Sequence, residues 1–101
     1  MTINIQSVHF TADKKLLDFI NERVSKLSSL YENILDVDVT LRLDKSSTGD
    51  NKIAEIKLRV KGSELFAKKQ CLSFEESVDN CVDAIKTQIK KYKEKSQTKA
   101  V

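Results

Sequence analysis

The alternation of hydrophobic and polar positions predicts four β-strands. They are predicted, in chain order, at residues 2–8, 35–43, 54–60 and 64–72. In the second of these, the positions predicted to face the core are Leu35, Val37, Val39, Leu41 and Leu43. The polar segment 44–51 predicts a mobile hairpin loop, and Gly62-Ser63 is a two-residue turn signal between the last two strands.

Two amphipathic helices are predicted around these strands. The first begins at Thr11 as N-cap, with Asp13 in its first turn, and runs to about Leu30. The second begins at Ser73, where Glu76 three residues later completes a capping box. The apolar stripe of the first helix is Leu16, Leu17, Ile20, Val24, Leu27 and Tyr31. That of the second is Phe74, Val78, Cys81, Val82, Ile85, Ile89 and Tyr92.

The element order β-α-β-β-β-α predicts an α+β fold with two layers. A strand-helix-strand start favours a right-handed crossover, so the first two strands should be parallel. Short turns join the other strands, which should be antiparallel and complete a four-stranded mixed sheet. Because the strands alternate, one sheet face should be buried, with both helices covering it. We predict one domain over residues 1–95 and a disordered C-terminal tail over 96–101.

Composition narrows the class of protein. Hydrophobic residues make up 40% and charged residues 33% of the 101 positions, a balance typical of soluble globular domains. No apolar run approaches the roughly 20 residues that a membrane helix needs, and no secretory signal is expected at the start. The two cysteines, Cys71 and Cys81, have neither disulfide-framework nor metal spacing, which favours a cytoplasmic location.

The formal net charge of +3 is unevenly distributed. Residues 1–50 contain 6 basic and 8 acidic side chains, whereas residues 51–101 contain 12 basic and 7 acidic ones. The window 86–99 contains six lysines and one acidic residue, Glu94. Such a patch is typical of surfaces that contact phosphates. Lysines at a helix C-terminus are also favoured by the helix dipole and by solubility, so charge alone leaves both interpretations open.

No residue pattern indicates an enzyme, and no cofactor or metal is expected. His9 is the one imidazole and has no nucleophile or second base at a catalytic spacing. Asp36 and Asp38 share the solvated face of a strand without a third ligand. Gly62 is an isolated turn glycine, and Cys81 is predicted to be a small core residue. A small-molecule substrate is therefore not expected either.

RNA binding fits the pattern better. Lys86, Lys90 and Lys93 recur along one side of the last helix, and Lys91 and Lys95 lie on its other side. Few aromatic residues are free to stack on bases, which favours recognition of a folded RNA by shape and backbone. A soluble module whose lysines bind nothing remains the alternative at this point.

Several segments of the sequence resemble those of one known protein family. The resemblance is carried by Ile3-Asn4-Ile5, Lys26-Leu27 with Tyr31, and Asp38-Val39-Thr40-Leu41, and by the residues Gly62, Glu64, Leu65 and Ala67. Its most specific part is the closing helix, from Ser77-Val78-Asp79 through Gln88-Ile89-Lys90-Lys91-Tyr92-Lys93-Glu94-Lys95. Together these segments span residues 1–95, and the family that they resemble is that of the ribosome hibernation-promoting factors.

The resemblance implies a fold similar to a double-stranded-RNA-binding domain and a stress-response role in bacterial translation. Members of the family bind the small ribosomal subunit in the channel for mRNA and tRNA anticodon ends, and block translation there. The rRNA-binding residues implied for this chain are Arg23, Lys26, Lys86, Lys90, Lys91, Lys93 and Lys95. The protein is expected to be monomeric when free and to have no membrane partner.

Two departures from the family pattern bear on this implied function. Ser7-Val8-His9-Phe10 stands where several members have Gly and Asn, so contacts from this segment do not carry over. Long members continue into a second domain that pairs ribosomes, whereas this chain resembles the short form. The alternatives to a hibernation factor are a general structured-RNA-binding module and a protein-interaction domain that binds no nucleic acid.

Overall fold

A computed structural model of the chain describes residues 1–45 and 49–99, with side chains of the last helix described as far as Glu94. The strands are β1 (Thr2–Ser7), β2 (Ile34–Leu43), β3 (Lys52–Val60) and β4 (Ser63–Cys71). The helices are α1 (Lys14–Ser25), followed by a 3₁₀ turn (Lys26–Ser29), and α2 (Phe74–Lys99). The predicted order β-α-β-β-β-α is confirmed.

The four strands form one sheet in the order β1-β2-β3-β4. β1 pairs with β2 in parallel, with Ile5 beside Val39, whereas the β2–β3 and β3–β4 pairs are antiparallel. A parallel pair needs a long crossover connection, which α1 supplies. The predicted four-stranded mixed sheet of an α+β fold is therefore confirmed.

Both helices contribute to a single hydrophobic core on one face of the sheet. Ile20 and Val24 of α1 and Ile85 of α2 are fully buried with Val39 and Ile56 of the central strands. These positions repeat every three or four residues in the helices and every second residue in the strands, so each element buries one face. The apolar stripes predicted from the sequence form this core, except that Leu17 is not among its residues.

Helix α1 begins later than predicted. Its N-cap is Asp13 rather than Thr11, and the Asp13 carboxylate accepts a hydrogen bond from the Leu16 amide at 2.8 Å. A carboxylate at this position pairs a free amide and also complements the positive end of the helix dipole. The α-helix then ends at Ser25, and the chain tightens into the 3₁₀ turn before Leu30.

The prediction that Leu35 faces the core is wrong. The register between β2 and β3 shifts between Ile34 and Asp36, so one additional residue is accommodated there. As a result Ile34 is buried and the side chain of Leu35 is 57% exposed. Leu43, at the end of β2 and also predicted inward, is 40% exposed.

The β3–β4 turn lies one residue earlier than predicted. Ser63 pairs with Val60 inside the ladder, so the two connecting residues are Lys61 and Gly62. Gly62 has φ +81°, a left-handed conformation that glycine adopts without steric cost.

Two further predictions fall partly or wholly outside what the structure describes. The connection 44–51 does join the antiparallel strands β2 and β3, but residues 46–48 lie outside the described residues. The backbone of α2 is helical to Lys99, past residue 96, where the sequence placed the start of the tail. Residues 100 and 101 also lie outside the described residues.

The predicted start of α2 is confirmed by two hydrogen bonds. The Ser73 hydroxyl accepts from the Glu76 amide at 3.1 Å, and the Ser73 carbonyl accepts from the Ser77 amide at 3.1 Å. Ser77 is fully buried, and its hydroxyl lies 2.6 Å from the Lys52 carbonyl of β3. A hydroxyl bonded this way ties the first turn of α2 to the sheet.

Gln88 of α2 covers the outer edge of β4. Its side-chain amide donates to the Phe66 carbonyl at 2.7 Å and accepts from the Phe66 amide at 3.2 Å. The side chain thus pairs with the edge as a neighbouring strand would. Unpaired edges of a sheet are templates for association with other chains, so this contact protects β4.

We expect Gln88→Leu to expose this edge of β4, although the side chain at position 88 keeps a similar size. Because both hydrogen bonds to Phe66 are lost, the Phe66 amide should exchange with solvent about tenfold faster. Hydrogen exchange followed by NMR measures this, with Thr87→Ala at the exposed neighbouring position as the control. An unchanged exchange rate at Phe66 in the leucine variant would contradict the assignment.

Candidate nucleic-acid interface

The two helices face each other along one flank of each, and Arg23 joins them. Its Nε lies 3.2 Å from Asp79 Oδ1 of α2, and its guanidinium lies over the Phe19 ring, 4.9 Å from the centroid. The Nε atom is buried, and the contact with Asp79 is an ion pair without the geometry of a hydrogen bond. Arg23 is therefore partly neutralised and holds the helices in their relative position.

Lys93 makes a second link between the helices. Its ammonium group donates to the Leu30 carbonyl at 3.0 Å, at the C-terminal end of the 3₁₀ turn. The last carbonyls of a helical segment lack partners within the segment and form its negative end. Lys93 of α2 donates to one of these carbonyls, so it holds the end of the 3₁₀ turn in place in addition to adding positive charge.

A groove of about 400 Å³ lies between Leu30, at the end of the 3₁₀ turn, and α2. Its lining residues are Leu30, Lys86, Ile89, Lys90, Lys93 and Glu94. Lys86 and Lys90 are exposed and lie one turn apart, so their ammonium groups can reach the same partner. The groove, together with Arg23 of α1 and Lys26 of the 3₁₀ turn, is called the interhelix surface below.

Lys26 is the first residue of the 3₁₀ turn and follows Arg23 by three positions. Its ammonium group lies 3.8 Å from Glu22 Oε1, and its side chain is 56% exposed. Exposed pairs of this kind contribute little and exchange readily with solvent. Lys26 is thus free to change partner when an anion approaches.

Of the remaining two predicted site residues, the structure separates Lys91 from this surface. Lys91 is exposed, but it lies one turn after Gln88, on the side of α2 that faces β4. The side chain of Lys95 lies outside the described residues. The structure therefore places Lys86, Lys90 and Lys93 around one groove and links Arg23 to α2 through Asp79, with Lys26 three residues after Arg23. Lys91 is left on another side.

The uncovered face of the sheet has a different electrostatic character. Arg59 donates two hydrogen bonds to the Asp36 carboxylate, at 2.7 and 2.8 Å, and these raise the pKa of Arg59 above its ordinary value. Arg42 Nε lies 3.1 Å from Glu55 Oε2 on the same face. The interhelix surface is the better candidate because Lys86, Lys90 and Lys93 line one groove there, whereas both arginines of the sheet face are paired with carboxylates.

Two residues of this surface escaped the sequence interpretation. Leu30 was predicted only as a helix end, and Asp79 was not predicted to pair with Arg23. Leu30 lies four residues after Lys26 and seven after Arg23, so helical spacing alone could have placed it on this flank. The pairing with Asp79 depends on how α1 and α2 pack, which no local pattern contains.

Other side chains considered for chemistry have ordinary structural surroundings. Asp36 and Asp38 are hydrogen-bonded, to Arg59 and Asn4 respectively. Cys81 is buried, and its thiol lies 3.2 Å from the Ala54 carbonyl. Burial raises the pKa of the Cys81 thiol to about 11, so it stays protonated at neutral pH. The prediction that Cys81 is a small core residue is confirmed.

His9 is the one non-glycine residue with positive φ among those described, at 64°. The next residue, Phe10, stacks on Phe74 with ring centroids 4.9 Å apart, which anchors the segment between β1 and α1 to the start of α2. Within the described part of the chain, no group of three or more His, Cys, Asp or Glu side chains could hold a metal ion. No helix in that part is long and apolar enough to span a bilayer.

Comparison with known proteins agrees with the resemblance found in the sequence. Residues 3–97 match the model of the Sigma 54 modulation protein / S30EA ribosomal protein family. The chain belongs to this family. The ribosome hibernation promoting factor of Pseudomonas putida KT2440 is 26% identical over 98 residues, which are 97% of this chain and 92% of that protein. That of Klebsiella oxytoca is 26% identical over 95 residues, 94% of this chain and 96% of that protein.

Solved structures of two proteins share the fold. A ribosomal subunit interface protein from Coxiella burnetii superposes with a TM-score of 0.82 at 18% identity, covering 92% of this chain and 98% of that one. The N-terminal domain of Protein Y from Thermus thermophilus superposes with a TM-score of 0.79 at 19% identity, covering 91% and 99%. The family members' fold is thus present over nearly the whole chain, and the predicted family assignment is confirmed.

Proposed function

We propose that this protein is a bacterial, cytoplasmic ribosome hibernation factor without catalytic activity. It binds the small ribosomal subunit through rRNA phosphates and blocks translation by occupying the channel for mRNA and tRNA. Residues 1–95 act as one ribosome-binding domain, which is monomeric when free. It requires no cofactor, small-molecule substrate or membrane.

The observation that carries this proposal is the gathering of cations on the interhelix surface. Lys86 and Lys90 are exposed, and the Lys26 ammonium group lies 3.8 Å from its nearest carboxylate. Each lysine that neutralises a phosphate releases bound counterions and so favours binding. The sheet face also exposes Lys57 and Lys68, but its two arginines are paired with Asp36 and Glu55. Matches of nearly full length to proteins named ribosome hibernation promoting factor support the ribosome as the partner.

Occlusion rather than catalysis follows from size and chemistry. The domain extends 50 × 24 × 18 Å, a volume that cannot be shared with an mRNA strand and anticodon stems in the same channel. Inhibition by occlusion needs only that the domain binds the small subunit tightly and lies in the channel. Arg23 and Lys93 supply position, because their contacts fix how the two helices present the exposed lysines.

Competition between this protein and the translation substrates tests the mechanism. We expect added mRNA and initiator tRNA to displace the labelled protein from small subunits and to raise its apparent Kd in proportion to their occupancy. The reverse titration should show the same coupling, because linkage between two binding equilibria is reciprocal. Fluorescence anisotropy of the protein and filter binding of the tRNA measure the two directions.

The control uses small subunits and a bare RNA duplex in parallel. Equal affinity for both would indicate a general structured-RNA-binding module instead of a ribosome-specific factor. A stable complex of subunit, protein, mRNA and tRNA at undiminished affinity would rule out occlusion. Absence of any ribosome binding would favour a protein-interaction domain that binds no nucleic acid.

A further inference from the structure

We propose that the groove between Leu30 and α2 receives an unstacked nucleobase of the bound RNA, while its lysine rim holds the adjoining phosphates. This inference rests on the proposed function and adds a second kind of contact to it. The interhelix surface would then read a local RNA conformation, namely a base turned out of its stack, in addition to backbone charge.

The floor of the groove is apolar and open to solvent. Leu30 is 38% exposed although it is a large aliphatic residue, and it belongs to no part of the buried core cluster. Ile89, which is only 2% exposed, closes the bottom of the groove, and the hydrocarbon stems of Lys86 and Lys90 flank it. The exposed surface of the groove is therefore mostly carbon, which suits the flat face of a base.

The rim of the groove is cationic. Lys86, Lys90 and Lys93 surround it, with Glu94 as the single acidic residue of its lining. Lys86 and Lys90 are separated by about 6 Å along the helix axis, so their ammonium groups can contact successive phosphates of one strand. Lys93 already donates to the Leu30 carbonyl and keeps Leu30 in place beside the rim.

A nucleotide is the partner whose chemistry matches both features. It joins an apolar ring face to an anion within one short unit, as the groove joins a carbon floor to a cationic rim. A volume of about 400 Å³ accommodates a base with its sugar. An apolar peptide would leave the three lysines without anions, and a duplex backbone alone would leave Leu30 in water.

The salt dependence of binding separates the two kinds of contact. A phosphate contact releases counterions, so its loss reduces the slope of log K against log salt, whereas loss of a base contact leaves that slope unchanged. We expect Leu30→Ser to weaken binding to small subunits about fivefold at every salt concentration, with the slope of the unmodified protein. Lys90→Gln should reduce the slope by about one phosphate contact.

Leu72→Ser is the matched control, because Leu72 is 66% exposed and lies between β4 and α2, outside the groove. Its affinity should equal that of the unmodified protein. Thermal denaturation of each variant verifies that the fold is retained, as expected for changes at exposed positions. If Leu30→Ser binds as tightly as Leu72→Ser, the base contact is refuted, while the lysine variants still test the proposed function separately.

A photocrosslink identifies the occupant directly. With a benzophenone amino acid at position 30, irradiation of the complex with small subunits should give an adduct to rRNA, located by a primer-extension stop. An adduct to ribosomal protein alone would show that a peptide fills the groove and would overturn the inference. If the unmodified protein binds no ribosomes at all, both the proposed function and this inference fail.

Discussion

Replacing Lys86 and Lys90 together with glutamate is expected to weaken binding to the small ribosomal subunit by at least about 100-fold. Each reversal removes a charge-assisted contact worth about 1.5–3 kcal/mol and places a carboxylate opposite a phosphate. Two such losses exceed the roughly 2.7 kcal/mol that corresponds to a 100-fold change in Kd. Co-sedimentation with subunits at several salt concentrations measures the loss.

Lys93 is left unchanged in this variant for a structural reason. Its ammonium group donates to the Leu30 carbonyl, so its reversal would disturb the end of the 3₁₀ turn as well as the charge. Lys86 and Lys90 are exposed and lie off the buried face of α2, so the fold should be retained. Far-ultraviolet circular dichroism and the thermal midpoint verify this.

Lys57→Glu with Lys68→Glu is the matched control, because both residues are exposed on the strands β3 and β4. Either pair of reversals changes the formal net charge from +3 to −1. If general attraction between a basic protein and RNA dominated, both variants would lose the same affinity. Retained binding by the sheet variant and lost binding by the helix variant would locate the contact on the interhelix surface. Wild-type binding by the helix variant would refute this location.

The elements of the fold were predictable because its periodicities are simple. The stripe around Ile20 and Val24 and the alternation around Val39 and Ile56 determine which faces are buried, and burial then determines layer arrangement. Leu35 was mispredicted because strict alternation cannot register an additional residue, and that residue becomes visible only when β2 is paired with β3. The helix start was misplaced because both Thr11 and Asp13 are acceptable N-caps, and tertiary context selects between them.

The candidate site was predictable as a charge pattern but not as a geometry. Helical spacing separates Lys90 from Lys91, and the structure places Lys91 on the side that faces β4. Sequence could not show that Arg23 is paired with Asp79, 56 positions later, or that Lys93 bonds to the Leu30 carbonyl. These contacts depend on the packing of α1 against α2. Through these contacts, Arg23 and Lys93, which were predicted only as RNA ligands, also fix the positions of the exposed lysines.

Ile85→Ala is expected to have the largest effect on stability, with little effect on the ribosome contact of the folded molecule. Ile85 is fully buried in the core between α2 and the sheet. Its truncation removes apolar contact and leaves a cavity, which lowers the free energy of unfolding by about 2–5 kcal/mol. Small domains have only about 5–15 kcal/mol in total, so the variant should be marginally stable.

Urea denaturation of Ile85→Ala, beside Leu35→Ala as the exposed aliphatic control, measures this loss. The thermal midpoint should fall by about 8 °C or more, since each kcal/mol corresponds to about 4–8 °C in a domain of this size. Leu35 is 57% exposed, so its truncation should change stability by less than about 0.5 kcal/mol. Ile85 and Lys86 are sequence neighbours about 100° apart around α2, with Ile85 in the core and Lys86 at the groove. The Ile85 variant should therefore bind subunits with normal affinity once corrected for its folded fraction, whereas reversal of Lys86 and Lys90 should leave stability intact and remove binding. A weakened ribosome contact in fully folded Ile85→Ala would show that core packing also sets the position of the lysines.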